Sequence, residues 1–80
     1  MGLIASIVVS TEPAHEERVA AALAAVDGCE VHFRDGRGKI VATIDRGEDP
    51  EAPVAAMESL RDLPHVLSVD LAGVYGVDPD

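Results

Sequence analysis

The chain opens on a short run of apolar, largely β-branched residues. Leu3 to Val9 reads LIASIVV, which predicts a strand. Ser10 and Thr11 then offer hydroxyl caps, Pro13 suits a first turn, and Glu12, Glu16 and Glu17 lie near the positive end of a helix dipole. Val19, Ala22, Leu23 and Val26 recur at helical spacing. They predict one amphipathic helix, stopped at Asp27-Gly28, where Gly28 suits a left-handed C-terminal position.

From Cys29 to Arg34 the period changes to two. Cys29, Val31 and Phe33 fall on one side, Glu30, His32 and Arg34 on the other, as in a half-buried strand. Asp35-Gly36-Arg37-Gly38 signals a hairpin. The returning strand, Lys39 to Ile44, carries Ile40, Ala42 and Ile44 on its apolar side and Val41 and Thr43 opposite. Asp45 to Pro53 reads as a loop, with Asp49 as a cap and Pro50 just inside a second helix. Val54, Met57 and Leu60, with Ala56 and Arg61 beside them, form its amphipathic face, and Leu63-Pro64-His65 ends it. Val66 to Tyr75 is the last strand, with Leu67, Val69 and Leu71 on one side and Ser68, Asp70, Ala72 and Val74 on the other. Val77 to Asp80 is an acidic tail.

The order is βαββαβ. Two strand-helix-strand units with right-handed crossovers place two helices on one face of a four-stranded antiparallel sheet. The fold class is therefore α+β, the ferredoxin-like split βαβ arrangement with strand order 4-1-3-2, and residues 1–80 are expected to form one domain. The expected core is Ile7, Val9, Val31, Phe33, Ile40, Ala42, Ile44, Leu67, Val69 and Leu71, packed on Val19, Leu23, Val26, Met57 and Leu60. The uncovered sheet face is expected to carry Ser6, Val8, Glu30, His32, Val41, Thr43, Ser68, Asp70 and Val74. That set is small, partly apolar and edged by Glu30 and Asp70, a surface suited to an amphipathic helix with cations at one end. An ordinary solvated sheet face has a similar composition.

Composition narrows the partners. Fifteen acidic and six basic residues give a net charge of -9. Such a surface repels phosphate backbones and anionic membranes and steers cationic partners toward it. Phe33 and Tyr75 are the only aromatics, too few for base-stacking platforms. No nucleic acid and no stable membrane insertion are therefore expected. The N-terminus does not read as a secretory signal, and no apolar run reaches the length needed to span a bilayer.

Chemistry is hard to place on this chain. Cys29 is the single cysteine, so a disulfide within the chain is excluded and a CxxC site has no second member. Its place in the alternation is that of a buried small hydrophobe. His15, His32 and His65 lack the spacing of a ligand pair, so no metal and no cofactor are expected. The glycine-rich hairpin has no GxxxxGK[ST] pattern. Acylphosphatases share the split βαβ plan but use an arginine in a phosphate loop after the first strand. Here that loop reads Ser10-Thr11-Glu12-Pro13. No catalytic residue is expected.

Several short segments occur together in a characteristic order. They are Ser6-Ile7-Val8-Val9, Gly28-Cys29-Glu30-Val31, Ile40-Val41-Ala42-Thr43-Ile44, Met57-Glu58-Ser59-Leu60-Arg61, and Val66-Leu67-Ser68-Val69-Asp70-Leu71 followed by Tyr75. Together they resemble the NapD family from about Ser6 to Tyr75. The resemblance implies a cytoplasmic chaperone that is not an enzyme. Its partner would be the twin-arginine signal peptide of the catalytic subunit of periplasmic nitrate reductase, bound as a helix over the sheet. Export by the Tat pathway would wait until the molybdenum cofactor is inserted and the enzyme folded. Ser6, Val8, Glu30, Val41, Ser68 and Asp70 match or replace the family's open-face positions, and His32 and Thr43 complete the expected site.

Two other readings share the topology. An ACT-like regulatory domain would bind a small molecule through a glycine-bearing loop after the first strand, and Ser10 to Pro13 holds no glycine. A structural module would pair through an edge strand, without peptide specificity.

Overall fold

The computed structural model describes residues 2–45 and 52–77. In chain order the elements are β1 (Gly2–Thr11), a 3-10 turn (Pro13–His15), α1 (Glu16–Ala24), β2 (Cys29–Arg34), β3 (Lys39–Asp45), α2 (Ala52–Arg61) and β4 (Val66–Val77). The four strands form one antiparallel sheet ordered β2-β3-β1-β4. This is the expected order 4-1-3-2 read from the other edge, and the fold is the ferredoxin-like βαββαβ. Each helix joins two parallel strands that flank a third, so both crossovers lie over the same sheet face.

The core lies between that face and the helices. Ala5, Ile7 and Val9 of β1 and Ile40, Ala42 and Ile44 of β3 are fully buried. Cys29 and Val69 join them from the outer strands, Val19, Ala20 and Leu23 from α1, and Met57 and Leu60 from α2. Aliphatic side chains with the sulfurs of Cys29 and Met57 fill the described part of this layer, and no aromatic ring is among them. Truncating a fully buried Ile or Leu to Ala here costs about 2–5 kcal/mol.

The element ends depart from expectation in places. β1 runs through Thr11, so Ser10 and Thr11 are ladder residues rather than caps. Neither the 3-10 turn nor α1 begins with a side-chain cap bond. The Thr11 hydroxyl instead donates to the His65 carbonyl at 2.7 Å, tying the β1–α1 and α2–β4 connections together. α1 stops at Ala24, short of Val26, and Gly28 takes the expected positive φ of 81°. Asp45 belongs to β3, and Ala52 and Pro53 belong to α2. The expected cap at Asp49 and Pro50 lies outside the described residues, as do residues 78–80 of the tail; Val77 ends β4.

Phe33, Leu67 and Val74 fall on other surfaces than expected, and Leu71 keeps its side but is exposed. Phe33 and Leu67 are 59% and 65% exposed, and Leu71 is 50% exposed. A bulge in β2 removes Phe33 from the core. Leu67 is an extra residue where the ladder passes from Ser10↔Ser68 to Thr11↔Val66, so it has no cross-strand partner. Leu71 does sit on the helix side, opposite Ile7, but on an edge strand flanked on one side only. A second shift, from Ile7↔Leu71 to Ser6↔Gly73, skips Ala72 and carries Val74 to the helix side, opposite Ala5. Val31 and Val26 are partly buried against the core.

Candidate functional site

The sheet face turned away from the helices is uncovered, and the ladder fixes what it displays. One row across it is Glu30–Thr43–Ser6–Gly73, from β2 to β4. The next is Phe33–Val41–Val8–Asp70. Asp45 and Ile4 stand at one end of these rows, and Lys39, Ser10 and Ser68 at the other. The floor is low because Ser6, Gly73, Thr43, Val8 and Val41 are small. Charge sits at the margins, in Glu30 on β2 and Asp70 on β4, both exposed.

All eight residues singled out from the sequence lie on this face. Ser6, Val8, Val41, Thr43 and Ser68 are half-buried, while Glu30, His32 and Asp70 are exposed. His32 Nε2 is hydrogen-bonded to the Thr43 hydroxyl at 2.7 Å. Ser68 donates to the Asp70 carboxylate at 3.4 Å. Lys39 Nζ donates to Ser10 Oγ at 2.7 Å, which anchors a cation at the hairpin end.

Phe33 is the residue that alternation missed, and the reason is local. The hairpin loop is held in one conformation. The Glu16 carboxylate, 6% exposed, accepts from the amides of Gly36 and Gly38 at 3.1 and 3.0 Å. Asp35 Oδ1 accepts from the amides of Arg37 and Lys39 at 2.7 and 3.0 Å, and these bonds hold its carboxyl below the usual aspartate range. The loop so held pairs Arg34 with Ile40 and Phe33 with Val41. Continued unbroken, that register would bring Glu30 opposite Ile44 and His32 opposite Ala42, on the helix side. Burying an unpaired carboxylate there costs several kcal/mol. The β-bulge between Val31 and Phe33 resets the register, so that Val31 meets Ala42 and Cys29 meets Ile44. Both His32 and Phe33 are left on the open face. Counting back from the hairpin rather than forward from Cys29 finds Phe33.

Burial pushes the Cys29 thiol up, and its side chain points into the core rather than the face. Among the described residues no group of three or more His, Cys, Asp or Glu side chains could hold a metal ion. Small residues, a central apolar strip and marginal carboxylates make up the described part of the face.

The sequence model of the NapD protein family matches residues 3–75. The chain belongs to the NapD family. Its fold also matches the solution structure of the E. coli Tat proofreading chaperone protein NapD, with a TM-score of 0.81 and 27% identity, over 95% of this chain and 79% of that one. No curated protein sequence matches it. NapD proteins are chaperones and not enzymes, and the chain has a chaperone role with the Tat pathway as its setting. Among the described residues no helix is long and apolar enough to cross a membrane.

Proposed function

We propose that this NapD protein acts in the cytoplasm by binding the twin-arginine signal peptide of the catalytic subunit of a periplasmic nitrate reductase. Occupying that peptide delays export until the cofactor is inserted and the enzyme folded. The observation that carries the reading is the composition of the uncovered face. An apolar row of Phe33, Val41 and Val8 ends on the Asp70 carboxylate, with Glu30 in the neighbouring row. A twin-arginine peptide has the complementary composition, cationic and then apolar.

The two halves of the peptide contribute differently. Burying its apolar stretch supplies most of the affinity, at about 25 cal/mol per Å² before ordering costs. Folding a flexible peptide into a helix offsets several kcal/mol of that gain. The net charge of -9 accelerates encounter and sets orientation. Added salt therefore weakens binding moderately, through slower association.

Calorimetric titration with the signal peptide of the nitrate reductase encoded in the same genome tests the reading. The controls are a twin-lysine version and an unrelated signal peptide. One-to-one binding selective for the nitrate reductase peptide is the expected result. Equal affinity for the unrelated peptide, or no binding at micromolar concentration, contradicts it.

A further inference from the structure

The open face is not symmetric end to end, and its asymmetry matches that of a helix. Along β3 the outward positions read Asp45, Thr43, Val41, Lys39, that is acid, hydroxyl, apolar and cation. Glu30 on β2 stands beside Thr43 and adds a second carboxylate near the Asp45 end. The Lys39 end holds its cation against Ser10 and continues into a hairpin bearing Arg37. The apolar row of Phe33, Val41 and Val8 lies between the two ends.

Resting on the proposed peptide-binding role, we infer that the face accepts its helical peptide in one polarity only, running parallel to β1. The arginine-bearing end lies by Glu30 and Asp45, the apolar stretch over Phe33, Val41 and Val8, and the C-terminal end by Lys39. Two electrostatic effects agree on this direction. The carboxylates attract the arginines and also the positive N-terminal end of the helix dipole. Lys39 faces the negative C-terminal end and would repel the arginines in the reverse orientation. The length also suits. From Ile4 to Ser10 the strand spans roughly 20 Å, which covers about 13 residues of helix. Asp70 lies beside the apolar row, away from the Glu30–Asp45 end, and acts as a flanking charge rather than the arginine contact.

Paramagnetic labelling tests the polarity. The peptide is prepared with a nitroxide either before its arginine pair or after its apolar stretch, and each version is added to the ¹⁵N-labelled protein. The N-terminal label is expected to broaden the amides of Ile4, Glu30 and Thr43. The C-terminal label is expected to broaden those of Ser10, Lys39 and Ser68. The reverse pattern, or both patterns from each label, overturns the single polarity while leaving peptide binding intact. Absence of any shift change with unlabelled peptide overturns the binding role itself, and the polarity with it. In a second measurement, E30Q lowers affinity for the twin-arginine peptide roughly two- to fivefold and leaves a twin-glutamine peptide unaffected. An equal loss with both peptides overturns the assignment of Glu30 to the arginine end.

Discussion

Phe33 stands opposite Val41 on the uncovered face, not opposite Ala42 in the core. Its ring is 59% exposed in the free protein, a large apolar group left available for a partner. F33A is therefore expected to change unfolding stability by less than about 1 kcal/mol. Affinity for the peptide should fall roughly tenfold or more, since burying such a side chain contributes about 1.5–3 kcal/mol. Urea unfolding and calorimetry on the same variant check both halves. A large stability loss would mean the ring packs inside.

Glu16 clamps the β2–β3 hairpin through a nearly buried carboxylate that accepts two glycine amides. E16Q keeps an acceptor but loses the charge, and is expected to cost about 1–3 kcal/mol. E16A leaves both amides without that partner and should cost more. For a domain of this size each kcal/mol lowers the melting temperature by about 4–8 °C. Calorimetric scans of the two variants should rank them in that order.

The two hairpin glycines are not equivalent. Gly36 has a φ of 76° with open space around it, whereas Gly38 has a φ of 96° and a Cβ there would collide with the Thr11 carbonyl. G36A is expected to cost about 1–2 kcal/mol, the ordinary penalty of a left-handed alanine. G38A should lose about 3 kcal/mol or more, because the Thr11 N–H to Gly38 carbonyl bond at 2.8 Å is displaced with it. Equal losses in urea unfolding would contradict the close approach of β1 to the hairpin.

Asp35 gives the hairpin an acid limit. Its carboxyl is held below the ordinary aspartate range by the amides of Arg37 and Lys39. A depressed folded-state pKa means that the contribution is present at neutral pH, above the unfolded value. It is lost as pH falls through the folded value. Wild type should be more stable than D35N at neutral pH, with the gap closing in strongly acidic solution, below about pH 4. Unfolding both proteins across that range checks the sign. A gap that widens on acidification would contradict it.

The fold was legible because each period was unambiguous. Helical spacing at Val19, Leu23, Met57 and Leu60, and alternation at Ile7, Val9, Ile40, Ala42 and Ile44, place residues that are all buried in the core. The open-face set was legible for the same reason on β1 and β3, which carry no bulge relative to each other. Alternation failed where a strand inserts a residue. The bulge beside His32 displaces Phe33, and the two shifts in β4 displace Leu67 and Val74. A bulge answers a conflict between two registers, and that conflict appears only when the pairing partner is known. The missing caps at Ser10 and Thr11 have a related cause, since both residues are engaged in the long β1–β4 ladder.

The most direct test of the account is a ¹⁵N chemical-shift titration with the twin-arginine peptide. Large changes are expected at Ser6, Val8, Glu30, His32, Phe33, Val41 and Thr43, with little at Glu17, Arg18, Ala21 and Glu58 on the helix side. Changes concentrated on the outer surfaces of α1 and α2, with the open sheet face silent, would contradict it.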